Sequence, residues 1–120
     1  MATVYSSTGE EYVVDVLDGT ITSASTGYWV GWGTGAGTAA KADTSLFTES
    51  TEARVICTES QPTADKNRWI GSITAGAVKT ITNAGLFTSS GGSMIVKGDF
   101  AGIALSSGDS IEFTIDLEQT

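Results

Sequence analysis

The sequence has no histidine, one cysteine, one proline and only six lysines and arginines in its 120 residues. Without histidine, Ser–His–Asp and Cys–His catalytic sites are excluded, and so are zinc sites built on imidazole. The lone Cys57 can form no disulfide within the chain. It lies in Val55-Ile56-Cys57-Thr58, where it reads as a small buried hydrophobe. The six cations, Lys41, Arg54, Lys66, Arg68, Lys79 and Lys97, are scattered, and the net charge is −8. No basic stripe exists to neutralise phosphates or anionic lipid, so neither nucleic acid nor a membrane surface is an expected partner. No run of about 18 apolar residues occurs, and no basic-then-apolar leader pattern opens the chain, so no membrane span or signal peptide is expected.

What is present is threonine, serine, glycine and short alternating apolar runs. Apolar residues make up 40% of the chain and charged residues 17%, a mix that favours strands and tight turns over helices. The clearest strand is Ile111–Leu117: Ile111, Phe113, Ile115 and Leu117 alternate with Glu112, Thr114 and Asp116. Further strands are expected at Glu11–Leu17, Tyr28–Gly33, Glu52–Thr58, Arg68–Ala75, Val78–Thr82, Met94–Lys97 and Phe100–Leu105, with another apolar segment beginning at Ala84–Phe87. Asp18-Gly19 reads as a hairpin turn returning through Thr20–Thr22, and Ser89–Gly92 and Ser106–Asp109 read as turns. Glu59–Asn67, with Pro62, is expected to be a loop. Gly33–Ala42 is expected to be a flexible glycine-rich loop without the ending or context of a phosphate cradle.

The expectation is an all-β, single-domain antiparallel β-sandwich of jelly-roll-like type, with at most one short helical turn near 43–50. Residues 1–27 form an N-terminal segment with a first hairpin, suited to an extended arm, and residues 28–120 form the body.

Candidate chemistry is sparse. The carboxylate pairs Glu10/Glu11 and Asp15/Asp18 could in principle serve a glycosidase, but they lie on or beside exposed turns with no pocket to raise a pKa. Asp15, Asp18, Asp43, Glu49 and Glu52 are oxygen donors on or near loops, without the spacing of a calcium loop. No cofactor, metal or catalytic residue is assigned, and an enzyme is not expected. Arg54 is the charge to single out. With Glu49, Glu52 and Asp43 nearby in sequence, it is either an exposed strand-edge arginine or one end of a partly buried ion pair pinning the 43–52 loop to the sheet. Tyr28, Trp29 and Trp32 are candidate interface aromatics that a core of this size also needs inside.

Six blocks occur in a set order: Tyr28-Trp29-Val30-Gly31-Trp32-Gly33-Thr34-Gly35, Asp43–Leu46, Glu52–Val55, Ile81–Phe87, Gly91–Phe100 and Gly108–Thr114. In this order they resemble small structural proteins of tailed bacteriophages, over roughly residues 28–117. That family includes capsid decoration, or cement, proteins, and related modules occur in tail fibres. The resemblance implies a virion protein that binds the outer surface of the major capsid protein lattice and stabilises the head. It also implies a homo-oligomer, with a trimer suiting a three-fold position. The alternative it leaves is a tail-fibre or baseplate module that binds a host glycan or protein.

Overall fold

The computed structural model describes residues 2–23 and 26–119. Met1, Ala24 and Ser25, which fall in the expected N-terminal segment, and Thr120 lie outside the described residues. In chain order the elements are β1 (Thr3–Tyr5), α1 (Ser7–Asp18), β2 (Trp29–Gly33), β3 (Val55–Ile56), β4 (Thr58–Thr63), β5 (Lys66–Thr74), β6 (Lys79–Phe87), β7 (Met94–Leu105) and β8 (Ser110–Glu118). They form a five-stranded sheet in the order β1-β7-β6-β2-β3 and a three-stranded sheet in the order β4-β5-β8, with every pairing antiparallel. The protein is an all-β sandwich, with one helix among the described residues.

Alternation builds the core. Trp69 and Ile73 of β5 and Ile111, Phe113, Ile115 and Leu117 of β8 face the larger sheet, where Val30, Trp32, Ile81, Leu86 and Val96 meet them. At one end the chain passes between the sheets twice, after β5 and after β7. The two crossings are tied together by Ala75 N–H to Asp109 O (2.7 Å) and Gly108 N–H to Ala75 O (2.8 Å). One lateral side is closed where Cys57 links β3 to β4, its amide bonded to Tyr28 O at 2.8 Å. The opposite side, between β1/β7 and β8, has no such link among the described residues.

α1 overturns three expectations at once. The run Glu11–Leu17 is helical, not a strand. Asp18-Gly19 is a helix end, not a hairpin turn. Thr20–Thr22 is not a strand. Ser6, fully buried, caps the helix by accepting from Gly9 N–H at 2.9 Å, and its own hydroxyl donates to Met94 O at 2.8 Å. Gly19 ends it in the left-handed conformation (φ 86°) that a side chain disfavours. Three valines gave the segment its strand-like look, but Tyr12, Val13 and Val16 fall on one helical face, and Tyr12 packs beside Trp69, Ile95 and Leu117 to close the far end of the sandwich. Nor does the N-terminus reach away as an arm: β1 pairs with β7 of its own chain, from Thr3 against Gly98 to Tyr5 against Val96.

Other boundaries shift for similar reasons. No helical turn occupies 43–50; that segment is an irregular loop held by side chains of the sheet. The expected strand Glu52–Thr58 shrinks to the two residues of β3. The expected loop Glu59–Asn67 contains β4, whose residues are exposed and so show no apolar alternation. Pro62 is tolerated there because β4 is an edge strand with an irregular register between Ser60 and Thr63. The segments 78–82 and 84–87 merge into β6, and 94–97 and 100–105 merge into β7.

Candidate binding surface

The loop between β2 and β3 folds over the outer face of the larger sheet, and four polar anchors hold it there. Asn83, fully buried on β6, pairs with the backbone of Phe47, accepting from its N–H at 3.0 Å and donating to its C=O at 3.1 Å. Lys97, fully buried on β7, donates to Asp43 Oδ2 and Ser45 O, both at 2.9 Å, and its ammonium lies over the Phe47 ring at 3.2 Å. Asp99 accepts from Ala39 N–H at 2.7 Å. Glycine makes the approach close enough: a Cβ on Gly33 would collide with the Phe47 carbonyl and lie 2.9 Å from Asn83 Nδ2.

Glu52 is the fourth anchor. Its carboxylate accepts from Trp32 Nε1 at 2.9 Å, Ser50 Oγ at 2.5 Å, Gly76 N–H at 3.0 Å and the ammonium of Lys79. Burial alone would raise its pKa, but the hydrogen bonds from Lys79, Ser50, Gly76 and Trp32 outweigh it and hold the carboxyl far below the usual range. Arg54 pairs with Glu49 in two parallel bonds, Nε to Oε2 at 2.8 Å and Nη2 to Oε1 at 2.9 Å. It also donates to Ser90 O at 3.0 Å and lies 3.5 Å over the Phe87 ring.

The four charges singled out in the sequence therefore do not form one cluster. Arg54 takes Glu49, while Glu52 goes to Lys79 and Asp43 to Lys97. Lys79, Lys97 and Asn83 were missed as partners because they lie about 27 to 54 positions away in sequence, a separation no local pattern spans. The five oxygen donors considered for calcium are likewise dispersed, and no group of three or more metal-ligating residues gathers among the described residues.

The three candidate interface aromatics separate by strand parity. Trp32 is 1% exposed in the inter-sheet core and is not an interface residue, because its position on β2 points into the sandwich. Trp29, half-buried, packs on the outer side against Leu46, Phe87 and Met94. Tyr28 packs against Trp69 in a tilted arrangement with ring centroids 5.3 Å apart, and its hydroxyl meets that of Tyr12 at 3.1 Å. Burial and the Tyr12 contact raise its pKa strongly. Burial also pushes the Cys57 thiol up to about 11, so it stays protonated at neutral pH.

Two surface features remain. The first is the exposed side of α1, where Val14 is 57% and Leu17 81% exposed. One turn apart, they share a face with the acidic Glu11 and Asp18. The second is the open lateral side, where a cavity of about 250 Å³ lies between Ala84, Val96 and Phe100 of one sheet and Phe113 and Ile115 of the other. Asp99 and Asp116 border it. The Ala39 amide holds Asp99, and the Arg68 guanidinium holds Asp116, below the usual carboxylate range, so neither is a proton donor at neutral pH. No helix among the described residues is long and apolar enough to cross a membrane. No known protein family, curated protein or solved structure matches the chain.

Proposed function

We propose that this protein is a bacteriophage capsid decoration protein, binding the outer surface of the major capsid protein lattice and stabilising the head. The observation that carries a docking role is the pair Val14 and Leu17, left open to solvent on a helix capped at its other end by buried Ser6. Side by side on one helix face, the two side chains offer a small apolar patch for a partner to cover. The ordered sequence blocks supply the partner, through their resemblance to phage structural proteins. All six Lys and Arg are engaged in ion pairs with carboxylates of the same chain, which leaves no cation disposed toward nucleic acid.

A modest contact repeated over a lattice stabilises the shell through avidity, and a trimer at a three-fold position multiplies it. The test is co-sedimentation of purified protein with mature heads lacking it, followed by electron microscopy. Binding in lattice-like number, with heads that rupture at higher temperature, is the expected result. Leu17→Ser is expected to lower that binding by about tenfold while leaving the melting temperature within about 2 °C, because the side chain is exposed. Density on tails and none on heads would sink the proposal and favour the fibre or baseplate reading.

A further inference from the structure

We propose that the open side of the sandwich is a docking groove for an extended strand donated by the partner, with apolar side chains on one face of that strand and lysine or arginine on the other. The inference deepens the proposed function and rests on it only for naming the coat protein as donor.

The backbone of β8 carries the case. β8 pairs with β5 along nine residues and with nothing on its other side among the described residues. The bonds Ala75 N–H to Asp109 O at one end and Gln119 N–H to Asp65 O at the other show that the backbone N–H and C=O groups of the odd-numbered residues point to β5, while their side chains enter the core. By the alternation of an antiparallel ladder, the N–H and C=O groups of Glu112, Thr114 and Asp116 point outward. The other edges are guarded. β4 has Pro62 and an irregular register, while β1 and β3 are three and two residues long. β8 is regular and carries no proline or lysine, so it is the edge built to accept another strand.

The chemistry of the occupant follows from the two faces. On the inner side a new strand meets the cavity between Phe100, Phe113 and Ile115, which calls for apolar side chains. On the outer side it lies beside Glu112, Asp116 and Glu118. Arg68 and Lys66 already serve the last two, while Glu112 has no ion pair among the described residues. No Lys or Arg lines the cavity. A second copy fits poorly. It adds another net charge of −8, and the self-pairing register centred on Thr114 sets Glu112 opposite Asp116 twice.

The probe is a blocked peptide of alternating lysine and valine, titrated into the isotope-labelled chain with amide exchange read by NMR. The expected result is that the amides of Glu112, Thr114 and Asp116 exchange freely in the unbound chain and become protected about tenfold or more on binding. Glu112→Lys, a surface change that spares the fold, is expected to weaken the peptide about tenfold and to favour a glutamate–valine peptide instead. Thr114→Pro, which removes one outward N–H, is expected to weaken binding of the lysine–valine peptide as well. Absence of binding, protection confined to another surface, or protection of these same amides by self-association without peptide would each overturn the inference. Failure here is separable from failure of the proposed function. Protein that binds heads while these amides stay unprotected refutes the groove alone, whereas peptide binding at β8 without head binding refutes the capsid assignment alone.

Discussion

At the scale of single residues, stability depends on a few polar side chains placed where a hydrophobic core would normally be left alone. Glu52 ties the loop before β3, the indole of Trp32, the start of β6 and the crossing after β5 to one carboxylate. Replacing it by glutamine leaves the Lys79 ammonium, 13% exposed, without its counter-charge. The expected cost of Glu52→Gln is about 3 kcal/mol, near 10 °C in melting temperature, checked by urea and thermal unfolding. Arg54 acts through geometry as well as charge. Arg54→Ala is expected to cost about 1–2 kcal/mol, and Arg54→Lys is expected to recover less than half of that, since an ammonium cannot make two parallel bonds to Glu49 while lying flat on Phe87. Equal stability of the lysine variant and the parent, measured by urea denaturation, would show that charge alone matters there.

At the scale of elements, α1 is the one most exposed to failure. It has a single fully buried residue, Gly9, and is held by the Ser6 cap and by the close approach of Gly9 to β7. A Cβ at Gly9 would lie 2.5 Å from Ile95 O and 2.9 Å from Ile95 Cα, contacts with backbone that cannot yield. Gly9→Ala improves intrinsic helix propensity yet is expected to undock α1. The circular dichroism signal of the helix should fall and Tyr12 should become solvent-exposed, while the β-sheet signal persists. Unchanged fluorescence of the Tyr12–Tyr28–Trp69 cluster in that variant would show that the helix tolerates the shift. The same element carries Val14 and Leu17, so undocking is also expected to impair head binding.

At the scale of the whole molecule, acid is the expected weakness. Glu52, Asp43, Asp99 and Asp116 all have carboxyl pKa values lowered in the fold: Asp43 by Lys97, Asp99 by the Ala39 amide, Asp116 by Arg68, and Glu52 by hydrogen bonds that outweigh its burial. Near pH 4 the unfolded chain binds protons at these positions that the native chain does not. Stability from them is therefore complete above about pH 5 and is lost as pH falls through their native values. The urea midpoint is expected to drop steadily between pH 5 and pH 3, less steeply in Glu52→Gln. A flat midpoint across that window would refute the linkage.

How much was legible beforehand varies with how local the signal is. The alternation of β8 is visible because its inward residues, Ile111 to Leu117, occupy one face of a single strand, and the all-β class follows from several such runs. The Arg54–Glu49 pair was within reach because five positions separate its members. The helix was not. Three valines spoke for a strand, and only the cap from Ser6 and the docking of Tyr12 against the end of the sandwich settle the choice.

Composition and periodicity alone determined the class of fold, the inward face of β8 and the exclusion of histidine-based chemistry, because each is a property of neighbouring residues or of simple counts. Tertiary structure decided which acid meets which cation, which of Tyr28, Trp29 and Trp32 is hidden, and which side of the sandwich stays open. Those outcomes depend on contacts between segments far apart along the chain, formed only when the two sheets close on each other.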